Sequence, residues 1–159
     1  MKNALVAYYS ASGCTRRIAE AIAKAVDGTV FEIAPAQVYT DADLNYRDPA
    51  SRVCKEHDDV KLRSVALKTV TPADFDKYEK VFVCYPIWWG IAAWPVDTFV
   101  KGNDFTGKTV LPVATSAASP LAKSGELLKA MAKGGDWKAG IRFASGASDK
   151  EVADWAKKA

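Results

Sequence analysis

Residues Ala4 to Tyr9 form an unbroken apolar run, the pattern of a strand buried on both faces of a parallel sheet. Ile18, Ile22 and Val26 then recur at spacing four, with alanines between them and Gly28 behind them, which predicts an amphipathic helix over 14–27. Thr29 to Ile33 reads as a short second strand, so the chain opens with a βαβ unit, whose crossover is right-handed. Tyr39, Thr40, Asp41, Asp43 and Tyr46 read as loop, and Asp48-Pro49 as the start of a helix reaching roughly Val60. Lys80 to Tyr85 is a buried third strand behind the turn Thr71 to Asp74. A helix near Val96 to Val100 and a turn at Asn103 to Lys108 lead to a fourth strand, Thr109 to Ala114. A helix from Leu121 or Ser124 to Lys133 stops at Gly134-Gly135, and Gly140 to Ala144 is a weak last strand. Ser148-Asp149-Lys150-Glu151 has capping-box spacing and opens a terminal helix with Val152 and Trp155 on one side.

Strands and helices thus alternate five times, which predicts a doubly wound α/β sandwich on a parallel sheet. A length of 159 residues suits one domain over 1–159, large enough to bury its own core. In such sheets ligands bind beyond the carboxyl ends of strands, near the switch point of strand order. That rule selects three loops: 10–15, 86–90 and 115–120.

The first loop, Ser10-Ala11-Ser12-Gly13-Cys14-Thr15, turns a strand directly into a helix with small hydroxyl residues. The first helical N–H groups are left without intrahelical partners, and the helix dipole adds partial positive charge, so the junction suits a phosphate. The competing reading is a simple helix cap. The second loop, Pro86-Ile87-Trp88-Trp89-Gly90, with Trp94 close behind, gathers three of the five tryptophans. Adjacent side chains leaving a strand do not both enter one core, so one of Trp88 and Trp89 is expected to face a flat ligand, with Trp94 structural. The third loop, Thr115-Ser116-Ala117-Ala118-Ser119-Pro120, is small enough for backbone to approach a planar edge.

Composition narrows the classes. Hydrophobic residues make up 49% and charged residues 26%, the balance of a globular chain. The net charge of +3 comes from scattered lysines rather than a stripe, which argues against nucleic acid as a partner. The longest uncharged stretch, Val81 to Val96, is short for a bilayer span and holds Pro86, Gly90 and Pro95, and no signal-peptide pattern opens the chain. Cys14, Cys54 and Cys84 are odd in number and far apart, as expected of free thiols in a reducing cytoplasm. No metal-ligand spacing and no acid–base pair of catalytic type is present, and His57, in Lys55-Glu56-His57-Asp58-Asp59, reads as a surface side chain. A phosphatase loop of the Cys-x5-Arg type fails because Glu20 stands six after Cys14, and a Gly-Lys-Ser/Thr loop is absent.

Ser-x-Ser-Gly-x-Thr after the first strand, Tyr-Pro-Ile-Trp-Trp-Gly after the third and Thr-Ser after the fourth together resemble the flavodoxin family, over essentially the whole chain. The resemblance implies a flavodoxin-like three-layer sandwich, a five-stranded parallel sheet of order 2-1-3-4-5 with helices on both faces, and FMN as cofactor. By position it gives the phosphate to Ser10, Ser12, Gly13, Cys14 and Thr15, with Arg16 adding charge. Pro86, Ile87, Trp88, Trp89 and Gly90 would line one side of the ring, and Thr115, Ser116, Ala117, Ala118 and Ser119 the other. The implied role is electron transfer to a redox partner protein or small-molecule acceptor. A quinone reductase using NAD(P)H or a thiol, and a flavin-free scaffold, are the alternatives.

Overall fold

The structure, a computed structural model, describes residues 3–159. Its first apolar run is β1 (Ala4–Tyr8), buried at every position, and the helix that follows is α1 (Cys14–Val26). β2 (Thr29–Glu32) is short and largely exposed, as an edge strand can be. A long excursion then carries α2 (Arg52–Asp58) and a 3-10 turn at Val60–Arg63 before the chain re-enters the sheet as β3 (Lys80–Trp88). β4 (Ile91–Ala92), α3 (Pro95–Lys101), β5 (Thr109–Ser116) and α4 (Ser124–Met131) follow. β6 (Asp136–Trp137), β7 (Ile141–Ala144) and α5 (Asp149–Lys158) complete the chain.

The sheet runs β2-β1-β3-β5, with β6 and β7 both parallel to the far side of β5. With β6 and β7 taken as one interrupted strand, this is the expected 2-1-3-4-5 order. The interruption has a cause in the neighbouring strand. Val110 accepts the Lys138 N–H, and Pro112, two residues on and facing the same neighbour, has no N–H to give. The fifth strand bulges there: from Val110↔Trp137 to Val113↔Ile141, three steps on β5 match four on its partner. Gly140 takes up the bulge at φ +78, where a Cβ would stand 2.3 Å from the Pro112 carbonyl oxygen.

Alternate residues of the central strands feed two cores. Ala4, Val6, Tyr8, Phe82, Cys84, Leu111 and Val113 pack against α1 and α5, with Ile18, Ile22 and Val152 fully buried. Each such aliphatic side chain contributes about 1.5–3 kcal/mol. Leu5, Ala7, Tyr9, Val83 and Tyr85 face α3, α4 and the excursion through Val53, Phe99 and Leu128. Tyr85 is enclosed there, its hydroxyl bonded to Ser124 Oγ at 2.9 Å, and burial pushes its phenol up to about 12.

Several boundaries differ from the sequence pattern. The helix expected from Asp48-Pro49 begins only at Arg52, because Asp48 and Pro49 are used in a turn that Asp48 Oδ1 holds by accepting the Ala50 N–H. Ser51 is the cap, accepting from Cys54 N–H. The expected five strands become seven, through the split fifth strand and the added β4. Among the described residues no helix is long and apolar enough to cross a membrane.

Candidate functional site

The start of α1 is built differently from the starts of α2 and α5. Ser51 and Ser148 cap those two helices by accepting backbone N–H groups, whereas α1 begins at Gly13, φ +95, with no side-chain cap and no acidic residue in its first turn. Ser10 Oγ is turned back to accept the Gly13 N–H at 3.0 Å, which fixes the loop without covering the helix end. The first-turn amides therefore keep both their hydrogen-bonding capacity and the dipole's positive potential. Ser12 is exposed and Cys14 half-buried beside them.

Two residues given to this cradle by the sequence stand elsewhere engaged. Thr15 is buried, and its hydroxyl bonds Thr115 Oγ1 at 2.7 Å, so it ties the first loop to the end of β5. Arg16 lies 3.0 Å from Glu20 along the outer face of α1, with both side chains largely exposed.

The segment read as a loop at 86–90 is mostly strand. β3 continues through Trp88 and pairs with β4 in a hairpin, Ile87↔Ala92 and Trp88↔Ile91, turned by Trp89 and Gly90 at φ +48 and +81. Positive φ at both central residues is the type I′ pattern. A bulky side chain at the first of them costs on the order of 1–3 kcal/mol and holds only where surrounding contacts enforce it. Those contacts are aromatic. The His57 ring stacks on Trp89 at 4.3 Å and 20°, and Trp94 lies behind at 5.8 Å and 20°. His57 is thus half-exposed and stacked, not a free surface side chain. Trp88 is met edge-on by Tyr9, Tyr39 and Trp94 at 4.9–5.6 Å.

Trp89 remains 44% exposed, the more accessible of the pair, while Trp94 is fully buried. Between this hairpin and the excursion lies a cleft of about 380 Å³. Ile87, Trp88 and Trp89 form one wall, Leu44, Tyr46 and Val53 the other, and Ser119 closes one end. Pro86 lies just inside, its carbonyl accepting the Ala93 N–H. In the fourth loop Ser116 Oγ donates to the Ser119 carbonyl, and Arg142 donates to both Ser116 oxygens, leaving Ala117 and Ala118 exposed. The phenols of Tyr9 and Tyr39 are held above their ordinary range by burial, so both are neutral donors.

Leu44, Tyr46 and Val53 are site residues that the sequence reading passed over. Their only signal is an aromatic and an aliphatic side chain amid a polar stretch. The arrangement as a whole offers a slot for a flat, apolar ring and, at the same end of the sheet, a helix start for an anion. Among the described residues no group of three or more His, Cys, Asp or Glu side chains is placed to hold a metal ion.

Comparison with known proteins agrees with this geometry. A family model described as Flavodoxin matches residues 3–159. A solved structure described as a flavoprotein, from Bacteroides uniformis, is 41% identical, with 98% of each chain covered and a TM-score of 0.89. Another so described, from Bacteroides eggerthii, is 40% identical over 96% of this chain and 94% of that one, with a TM-score of 0.86. A flavoprotein in complex with FMN from Lactobacillus acidophilus shares the fold at 24% identity, a TM-score of 0.69, and coverage of 99% and 100%. No curated protein matches the chain.

Proposed function

This chain belongs to the flavodoxin family, and from that premise we propose that it binds FMN and transfers electrons through it. The observation that carries the reading is the uncapped α1 start at the same sheet end as a tryptophan-lined slot. The residues present fit the group. The first-turn amides and the hydroxyls of Ser10 and Ser12 would hold the phosphate, Trp88 and Trp89 would take one side of the ring, and the backbone from Thr115 to Ser119 would meet its edge. Thr15 would act on the phosphate loop through Thr115.

The flavin supplies the redox chemistry, and the protein supplies binding, orientation and a low-polarity wall. The cleft walls carry no acid or base, so protons exchanged during turnover would come from solvent. A second reading, reduction of a small planar acceptor such as a quinone with NAD(P)H or a thiol, is favoured by the open mouth of the cleft, where Tyr46 and Trp89 are both exposed.

The visible spectrum of the purified chain, before and after added FMN, tests the cofactor. A shifted, structured oxidised-flavin band is expected, and a spectrum equal to that of free FMN would reject the assignment. Steady-state oxidation of NADPH by quinone then separates enzyme from carrier.

A further inference from the structure

Glu56 is a buried carboxylate with three donors from three parts of the chain. Its Oε1 accepts the Tyr39 hydroxyl at 2.5 Å and the Trp94 indole N–H at 2.9 Å, and its Oε2 accepts Arg52 Nε at 3.1 Å. Tyr39 comes from the loop after β2, Trp94 from the start of α3, and Arg52 from one turn earlier in α2. Arg52 is itself fixed, 3.7 Å over the Tyr39 ring and donating to the Gln37 carbonyl at 2.9 Å. Arg63 donates to the carbonyls of Glu56 and His57 and lies 4.8 Å over the Trp94 ring.

These partners are the supports of the cleft wall. Tyr39 and Trp94, the two neutral donors to Glu56, are two of the three aromatic rings that meet Trp88 edge-on. Trp94 also backs Trp89, and His57, the next residue after Glu56, stacks on it. A buried carboxylate with paired, charge-assisted bonds fixes geometry more firmly than apolar contact alone, because each bond is directional and its loss leaves a buried group unpaired. We propose that Glu56 is the positioning residue of the ring site, locking the excursion against the β3–β4 hairpin so that Trp88 and Trp89 stand ready to receive a flat ring. This rests on the FMN reading above.

Glu56→Gln tests it. The amide keeps one acceptor, so whichever way it turns, either Arg52 or the Tyr39–Trp94 pair faces an N–H group and loses its partner. FMN and riboflavin should each bind about tenfold more weakly, the scale of one or two charge-assisted hydrogen bonds. The ratio of the two affinities should stay unchanged, because the phosphate cradle lies on α1 and is untouched. Quenching of flavin fluorescence on binding should fall as well, a signature that loss of stability alone would not produce. Tyr39→Phe leaves the carboxylate bonded to Trp94 and Arg52, and should weaken both ligands in the same direction by a smaller factor. It also serves if Glu56→Gln does not fold. Riboflavin affinity and quenching equal to wild type in a folded Glu56→Gln or Tyr39→Phe chain would overturn the positioning role. A wild-type chain that binds neither flavin would instead overturn the FMN reading, and the positioning role with it.

Discussion

At the residue scale the site is set by pairs of side chains that the sequence separates widely. Thr15 and Thr115 are the clearest case, with two buried hydroxyls sharing one hydrogen bond between the first and fourth loops. Replacing one strands the other, and an unpaired buried hydroxyl costs about 1–3 kcal/mol. Urea denaturation of the flavin-free chain should therefore show Thr15→Val less stable by about that amount. The double variant Thr15→Val with Thr115→Val should lie closer to wild type than the sum of the singles. Additive losses would mean that the two hydroxyls do not act together. The hydroxyl at Thr15 was legible as a loop donor, but its partner was not, because no local spacing records a contact across the sheet. The same holds for Glu56, whose place in a charged run reads as solvent-exposed until Tyr39, Arg52 and Trp94 are brought around it.

At the element scale the long apolar runs and the spacing-four helix were readable because their burial is periodic and local. β1, α1, β3, β5 and α5 stand close to where the pattern puts them. The split of the fifth strand was not readable in that strand, since its cause, Pro112, lies in β5. The hairpin after β3 was hidden for a related reason: Trp89-Gly90 lacks the Asn-Gly or Asp-Gly signal of a type I′ turn, and the aromatic stack supplies what that signal normally would. The first turn of α3 carries a titratable strain of its own. Burial pushes the Asp97 carboxyl from 3.8 to about 6, against the opposing pull of Lys101 and Arg63. The folded state then holds a proton that the unfolded chain has released, so stability falls as pH rises through this window and the full cost stands above it. Denaturation midpoints should show Asp97→Asn gaining on wild type by about 1–3 kcal/mol between about pH 4 and pH 7. A gap that is constant with pH would contradict the buried-acid assignment.

At the scale of the whole molecule, the sheet brings the ends of β1, β3 and β5 together, and α1 points its uncapped start toward the same edge. That much follows from alternating elements and from the rule that ligands gather beyond strand ends. What the alternation leaves open is the far wall of the slot. Leu44, Tyr46 and Val53 come from an excursion without hydrophobic periodicity, held in place by Glu56 and its donors rather than by an amphipathic stripe. The central claim is that this edge is a preformed site for a flat ring with an anionic tail. Isothermal titration calorimetry of the flavin-free chain with FMN, and in parallel with riboflavin, tests it most directly. One FMN should bind per chain with release of heat, and riboflavin should bind at the same stoichiometry but more weakly, by the contribution of the phosphate. A folded chain that gives no heat with FMN, or binds both ligands equally, would contradict it.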